Sequence, residues 1–351
     1  MKKLTSLLLV LVLVCAVALT GCGGTEEETL ELKIFNAGEY IDKSLLTEFE
    51  KAYGCEIIYE TFDSNESMYT KLQSGETYDI LVPSDYMIDR LIKEDYLAEI
   101  DWDQITNKEL LNPDIMGQDF DPDNTYSVPY YYGTVGILYN KKVVDKEDLA
   151  DGWELLRNPK YKDDIYMYDS ERDSFMIALK ALGYSMNSTN ENQINRAYRW
   201  LVNQRDTMNP VYVTDDVIDN MISGNKSIAV VYSGDGALIM SENSDMDFFE
   251  PDQGTNVWTD CMVITKDCEN TELAHQFINF LCDADNAYIN TQYVGYSSAV
   301  QPAYELMRDD DYAGINAYVP RTGYEQDEVF TYQSNEIREI YSELWTRIKA
   351  Y

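Results

Sequence analysis

Between Leu30 and Tyr86 the chain alternates short strand signals with helical ones, and this alternation narrows the fold further than any other pattern in it. Leu30–Phe35 alternates apolar and polar residues, the mark of a half-buried strand. Ile41–Tyr53 sets Leu45, Leu46, Phe49 and Tyr53 at helical spacing. Glu56–Thr61 is β-branched and aromatic, and Ser67–Leu72 reads as a helix. Tyr78–Val82 is a compact apolar strand stopped by Pro83, with Ser84 as the N-cap of the helix that follows. The pattern predicts an α/β fold with a largely parallel sheet.

Farther along, Val128–Tyr139 is a long β-type run broken by Gly133 and Gly136, and Asn256–Thr265 is a second. Runs of this length can cross between two lobes. Ser174–Leu182, Gln193–Val202, Leu273–Leu281 and Ala284–Tyr293 read as helices, and Ser227–Tyr232 as a strand ending in Ser233-Gly234-Asp235-Gly236. The chain closes on a helix with Ile337, Tyr341, Leu344, Trp345 and Ile348 on one face. There is no short repeat, which excludes solenoids and propellers.

The N-terminus carries an address. Lys2 and Lys3 precede an unbroken apolar run from Leu7 to Leu19, which has the order of a secretory signal. The run falls short of the ~20 residues a membrane-spanning helix needs. Leu19-Thr20-Gly21-Cys22 at its end resembles the cleavage site of bacterial lipoproteins, which implies removal of residues 1–21 and a lipid on Cys22. Residues 22–29 are small and acidic, a flexible tether. The expected product faces outward, anchored to a membrane rather than embedded in it. About 330 residues remain, enough for two lobes of ordinary domain size.

Charge and chemistry exclude several classes. The chain has 63 acidic and 27 basic residues, a net charge of −36. Nucleic-acid binding relies on basic patches, so it is excluded, whereas a negative field concentrates cations. Beyond the signal there is one histidine, His275, in a helical stretch and without a G-x-S-x-G elbow, so a Ser-His-Asp triad has no support. No P-loop or G-x-G-x-x-G is present. Asp119, Asp121 and Asp123 have the spacing of a calcium loop, but Asn124 and Tyr130 stand where Gly and Glu are needed. The segment reads as a turn around Pro122, and no metal or cofactor is expected. Cys55, Cys261, Cys268 and Cys282 allow three disulfide pairings and lack Cys-x-x-Cys spacing; buried free thiols are the expected state.

The chain has 29 tyrosines, and aromatics recur beside acids at the ends of predicted strands: Glu39-Tyr40, Asp85-Tyr86, Asp169 through Asp173, and Trp258-Thr259-Asp260. Open α/β sheets bind ligands at such strand ends. Aromatic faces attract alkylammonium groups by about 0.5–2 kcal/mol each, and carboxylates accept their N–H bonds. Aromatic platforms with acids also bind sugars, so amine and sugar both stay open.

Taken in order, these segments resemble the spermidine/putrescine-binding lipoproteins of bacterial polyamine ABC importers. The likeness runs from about Leu30 to Tyr351. It is carried by Phe35-Asn36 with Glu39-Tyr40, Thr61–Leu72, Tyr78–Tyr86, Phe120–Tyr130, Phe175–Tyr184, Trp258-Thr259-Asp260, Gly295-Tyr296 and Ile340–Ala350. The resemblance implies a two-lobed periplasmic-binding-protein fold of type II, with the ligand in the cleft between α/β lobes. It divides the chain into a first lobe of residues 30–134 and 262–310, a second of 135–261, and a C-terminal segment of 311–351 with the closing helix.

Residue by residue, it implies an aromatic box of Tyr40, Tyr86, Tyr232, Trp258 and Tyr296, with Glu39 beside it. Asp260 would grip one amine end and Asp173, with Asp169, the other. Ser84, Thr214 and Gln333 match polar cleft positions. The chain departs from the family pattern at Ala37-Gly38, where an aromatic wall is missing, at Ser170, where an acid is expected, and at Tyr232, which replaces a Trp. The reading is a non-catalytic, monomeric, lipid-anchored receptor that delivers putrescine or spermidine to an ABC permease. The alternatives are a binder of thiamine, iron or a sugar, and a surface carbohydrate-active protein.

Overall fold

The computed structural model describes residues 30–350 other than Asp215; the signal, Cys22 and the 22–29 tether lie outside the described residues. Ten strands are joined in one ladder: β1 (Leu30–Ala37), β2 (Cys55–Phe62), β3 (Ile80–Leu81), β4 (Ser127–Asn140), β5 (Ile165–Tyr168), β6 (Val211–Val213), β7 (Ile228–Tyr232), β8 (Met246–Phe249), β9 (Val257–Ile264) and β10 (Ser297–Ser298). Their order is β2-β1-β3-β9-β4-β7-β5-β6, with β8 and β10 also paired to β4. The helices used below are α1 (Lys43–Tyr53), α2 (Asn65–Gln73), α3 (Asp85–Lys93), α4 (Glu171–Ala181), α5 (Glu191–Met208), α6 (Val217–Ile222), α7 (Ser233–Glu242), α8 (Thr271–Leu281), α9 (Ala284–Val294), α10 (Gln301–Leu306) and α11 (Asn335–Lys349).

The ladder has two wings. Parallel pairing joins β1 to β2 and β3 in one wing, and β5 to β6 and β7 in the other. Between them β9 and β4 run antiparallel to their neighbours, so the sheet is mixed rather than largely parallel. Helix crossovers fix a common direction only for the strands they join, and β4 and β9 reach the centre by other routes. β4 serves both wings. Ser127–Thr134 pairs with β9, and Val135–Tyr139 with β7. β9 pairs with the first half of β4 along its length and with β3 at Val263 and Ile264.

One buried cluster runs under both wings, from Leu32, Ile34 and Val128 to Val231 and Phe248. A second packs Trp153, Phe175 and Ile177 against Tyr341, Leu344 and Ile348, so the closing helix α11 belongs to the second lobe's core. Ile337 and Trp345 of its apolar face are half-buried against the same cluster. Each fully buried side chain of this size contributes about 1.5–3 kcal/mol. A third cluster holds Phe35, Met87 and Leu91 in the first lobe.

Some local expectations changed on folding and others held. Ser84 does occupy the N-cap position of α3, but its hydroxyl makes no capping bond and instead accepts from Asn65 Nδ2 at 3.0 Å. Ser233–Gly236 is the first turn of α7, which starts directly after β7. His275 is buried and structural: its Nε2 accepts the Asp101 N–H at 2.8 Å. Asp121 shapes its turn by accepting from the Thr125 and Tyr126 N–H groups and the Ser127 hydroxyl. The four cysteines are free; Cys55, Cys261 and Cys282 are buried and Cys268 only half so.

Candidate functional site

A cavity of about 1000 Å³ lies between the wings. Parallel strands end at it: Glu39 and Tyr40 follow β1, Ser84 and Tyr86 follow β3, Asp169 and Asp173 follow β5, Thr214 follows β6, and Tyr232 ends β7. Carboxyl ends of parallel strands are where such sheets hold ligands. Trp258 and Asp260 from β9, Tyr296 after α9 and Gln333 before α11 complete the wall. All twelve cleft residues expected from sequence therefore line one cavity.

Five rings form a continuous row across it. Tyr40 meets Tyr296 at 6.0 Å between centroids, Tyr296 meets Trp258 at 5.2 Å, Trp258 meets Tyr232 at 6.1 Å, and Tyr232 meets Tyr168 at 4.9 Å. Every contact is edge-to-face, which leaves ring faces for a third partner. Gly234 makes room for the row, because a Cβ there would sit 1.7 Å from the Tyr296 ring. The buried Trp258 Nε1–H has no partner among the described residues.

Acids occupy both arms of the row. The Tyr40 hydroxyl donates to Asp260 Oδ2 at 2.6 Å in the first lobe, and the Tyr232 hydroxyl to Asp173 Oδ2 at 2.8 Å in the second. Burial raises both carboxyls. The Tyr40 and Ser84 hydroxyls oppose the rise at Asp260, and the Ser170 and Tyr232 hydroxyls and Arg172 oppose it at Asp173. Each therefore resists holding its charge in the empty cleft, and a cation would relieve that resistance.

The remaining positions lie toward the rim. Glu39 sits at φ 50° and accepts from the Tyr293 hydroxyl. Asp169 is paired with Lys349 of α11 at 2.8 Å, so it is already engaged. Thr214 is exposed, and Gln333 half-buried. At the Ala37-Gly38 departure, a Cβ on Gly38 would meet nothing within 4 Å, so the wall is open there.

Several charged groups of the cleft were not among the site residues expected from sequence, and Arg172 and Asp85 bear most on the wall. Arg172 reaches from α4 to Glu66 of α2 at 3.0 Å, with its guanidinium carbon 3.4 Å from the centroid of the Tyr86 ring. The Tyr86 hydroxyl donates to the same Glu66. This contact joins the lobes and takes up one face of Tyr86. A basic residue does not fit the aromatic–acid pattern, so nothing in the sequence marked Arg172. Asp85, at the start of α3, is buried beneath the wall; its place beside Tyr86 in the aromatic–acid series was the available clue.

Residues 44–314 match the family of bacterial extracellular solute-binding proteins. The chain belongs to that family. This solute-binding protein is 31% identical over 341 residues to the spermidine/putrescine-binding periplasmic protein of Escherichia coli K12, covering 95% of this chain and 96% of the relative. Among solved structures it is similar to a putative spermidine/putrescine ABC transporter from Listeria monocytogenes, with a TM-score of 0.81, 37% identity, and 92% and 100% of the two chains covered. A spermidine/putrescine ABC-transporter substrate-binding protein from Streptococcus pneumoniae gives a TM-score of 0.78 at 36% identity, covering 92% and 99%. The solute-binding protein thus has the two-lobed α/β architecture of its family.

Proposed function

We propose that this solute-binding protein captures a polyamine, putrescine or spermidine, and presents it to an ABC permease without catalysing a reaction. The observation that carries the reading is the aromatic row with one carboxyl on each lobe, the half-buried Asp260 on Tyr40 and the buried Asp173 on Tyr232. A polyamine has the matching form, a thin apolar chain with ammonium groups at its ends. The rings would cover the methylenes and exclude water, which strengthens each ammonium–carboxylate contact. Because the ligand touches both lobes, it favours the closed arrangement. A micromolar binder needs about −8 kcal/mol, within reach of two such contacts and a stacked chain. The names of the E. coli, Listeria and Streptococcus relatives support the ligand class.

Titration calorimetry of the purified protein tests this directly. Heat and a raised thermal midpoint are expected with putrescine or spermidine, and none with thiamine or a sugar panel; silence from every polyamine would end the proposal. The reading includes a lipid anchor at Cys22. Among the described residues no helix is long and apolar enough to cross a membrane. Cys22→Ser is expected to move the protein from the membrane fraction to the soluble one, and continued membrane association would remove Cys22 from the account.

A further inference from the structure

One buried acid in the cavity wall has no part in the row or in the two ammonium seats. Asp85 is 1% exposed. Its carboxylate accepts the Tyr86 N–H at 2.6 Å and, loosely, the Thr259 N–H at 3.4 Å, both backbone groups. Thr259 immediately precedes Asp260, and a β-bridge pairs Ser84 with Asp260. The two acids thus stand at adjacent positions on facing backbones, and both line the cavity. In the same wall the buried Trp258 Nε1–H lacks a partner among the described residues.

We propose that Asp85 and Asp260 form a single two-carboxyl seat in which Asp85 holds a proton until an ammonium group of the ligand arrives. The inference rests on the polyamine reading and adds a residue and a proton to it.

A carboxyl buried beside a second carboxyl is costly to ionise, so Asp85 favours its protonated form. Burial first, and the Asp260 charge after the opposing Tyr86 N–H bond, push Asp85 up to about 8. The groups facing it are Asp260 and the Thr259 N–H from β9, Tyr86 on its own helix, and Arg172 from α4, which pulls the other way. Arg172 is already held by Glu66 and Tyr86, so it leaves the seat for an incoming cation. On capture the carboxyl O–H bond breaks, the proton leaves to solvent, and the ammonium takes its place as countercharge. No covalent bond to the ligand forms.

Asp85 titrates at 3.8 when unperturbed and near 8 in the empty fold, so between these values the folded state holds the extra proton. Stability of the empty protein therefore falls as pH rises through that window, and ligand affinity rises.

The test is calorimetry of the full protein with spermidine and putrescine at pH 7, in two buffers of different ionisation enthalpy. The expected result is a binding enthalpy that depends on buffer and reports proton release. Asp85→Asn is expected to cut the release by at least half and to flatten the decline of the empty protein's thermal midpoint from pH 5 to 8. Polyamine binding with no buffer dependence, or with undiminished release in Asp85→Asn, overturns this inference alone. Absence of binding to either polyamine overturns the polyamine reading and this one with it. The buffer comparison on the unaltered protein needs no variant to fold.

Discussion

Asp260→Asn is expected to weaken putrescine and spermidine binding by ~30-fold or more, while the empty protein keeps its thermal midpoint or gains in it. Truncating one partner of a buried, hydrogen-bonded charge pair costs about 2–5 kcal/mol, because the other charge is left without its counterpart. Here the orphaned partner is the ligand ammonium. Asparagine keeps an oxygen for the Tyr40 hydroxyl, so the local hydrogen bond survives. It also removes a carboxyl whose charged form burial disfavours, so folding loses nothing. Calorimetry and thermal melts of the same preparation read the two effects apart. Affinity within threefold of the unaltered protein would take Asp260 out of the site.

Glu328→Ala is expected to destabilise the protein by about 3 kcal/mol. Lys180 of α4 has only 4% of its side chain exposed, and its ammonium meets Glu328 and the Gln326 carbonyl, each at 2.6 Å. Glu328 also accepts from the Ser185 hydroxyl and the Met186 N–H, and its backbone pairs with Thr255 and Val257. It fastens the segment before α11 to the second lobe, and Phe330 to Gln333 of that segment line the cleft. Removing the carboxylate leaves a buried cation with one carbonyl. Lys180→Met should cost less, since the half-solvated Glu328 keeps its other donors. Urea unfolding is the readout: a lower midpoint with unchanged slope for Glu328→Ala. Equal midpoints for the two variants would contradict the ranking.

The legible parts of the fold were those where local pattern and burial agree. β1 and α1 follow from alternation and helical spacing, since each presents one apolar face to the core, and β2 follows from its β-branched and aromatic residues. The start of α7 was not legible. Two glycines in its first turn oppose helix by propensity, yet they admit the Tyr296 and Phe248 rings, a gain that appears only in three dimensions. The direction of β4 and β9 was hidden for the same reason, because antiparallel pairing at long range leaves no local mark.

In the site, the aromatic–acid pairs were visible as neighbours in sequence, and the resemblance put them in one cleft. What sequence could not show was which acids have partners. Asp169 faces Lys349 from 180 residues away, and Arg172 finds Glu66 only because the lobes face each other. Asp85 stood in the aromatic–acid series, but its depth beneath the wall depends on the bridge between Ser84 and Asp260.

β4 is one strand shared by two lobes, and Gly133 and Thr134 mark where it passes from one wing to the other. A Cβ on Gly133 would stand 2.6 Å from both the Trp258 ring and the Ser233 hydroxyl, so this passage is packed directly against the middle of the aromatic row. The passage between the lobes and the middle of the aromatic row are therefore one packed unit, and a side chain added at 133 would press on the indole and on the start of α7 together.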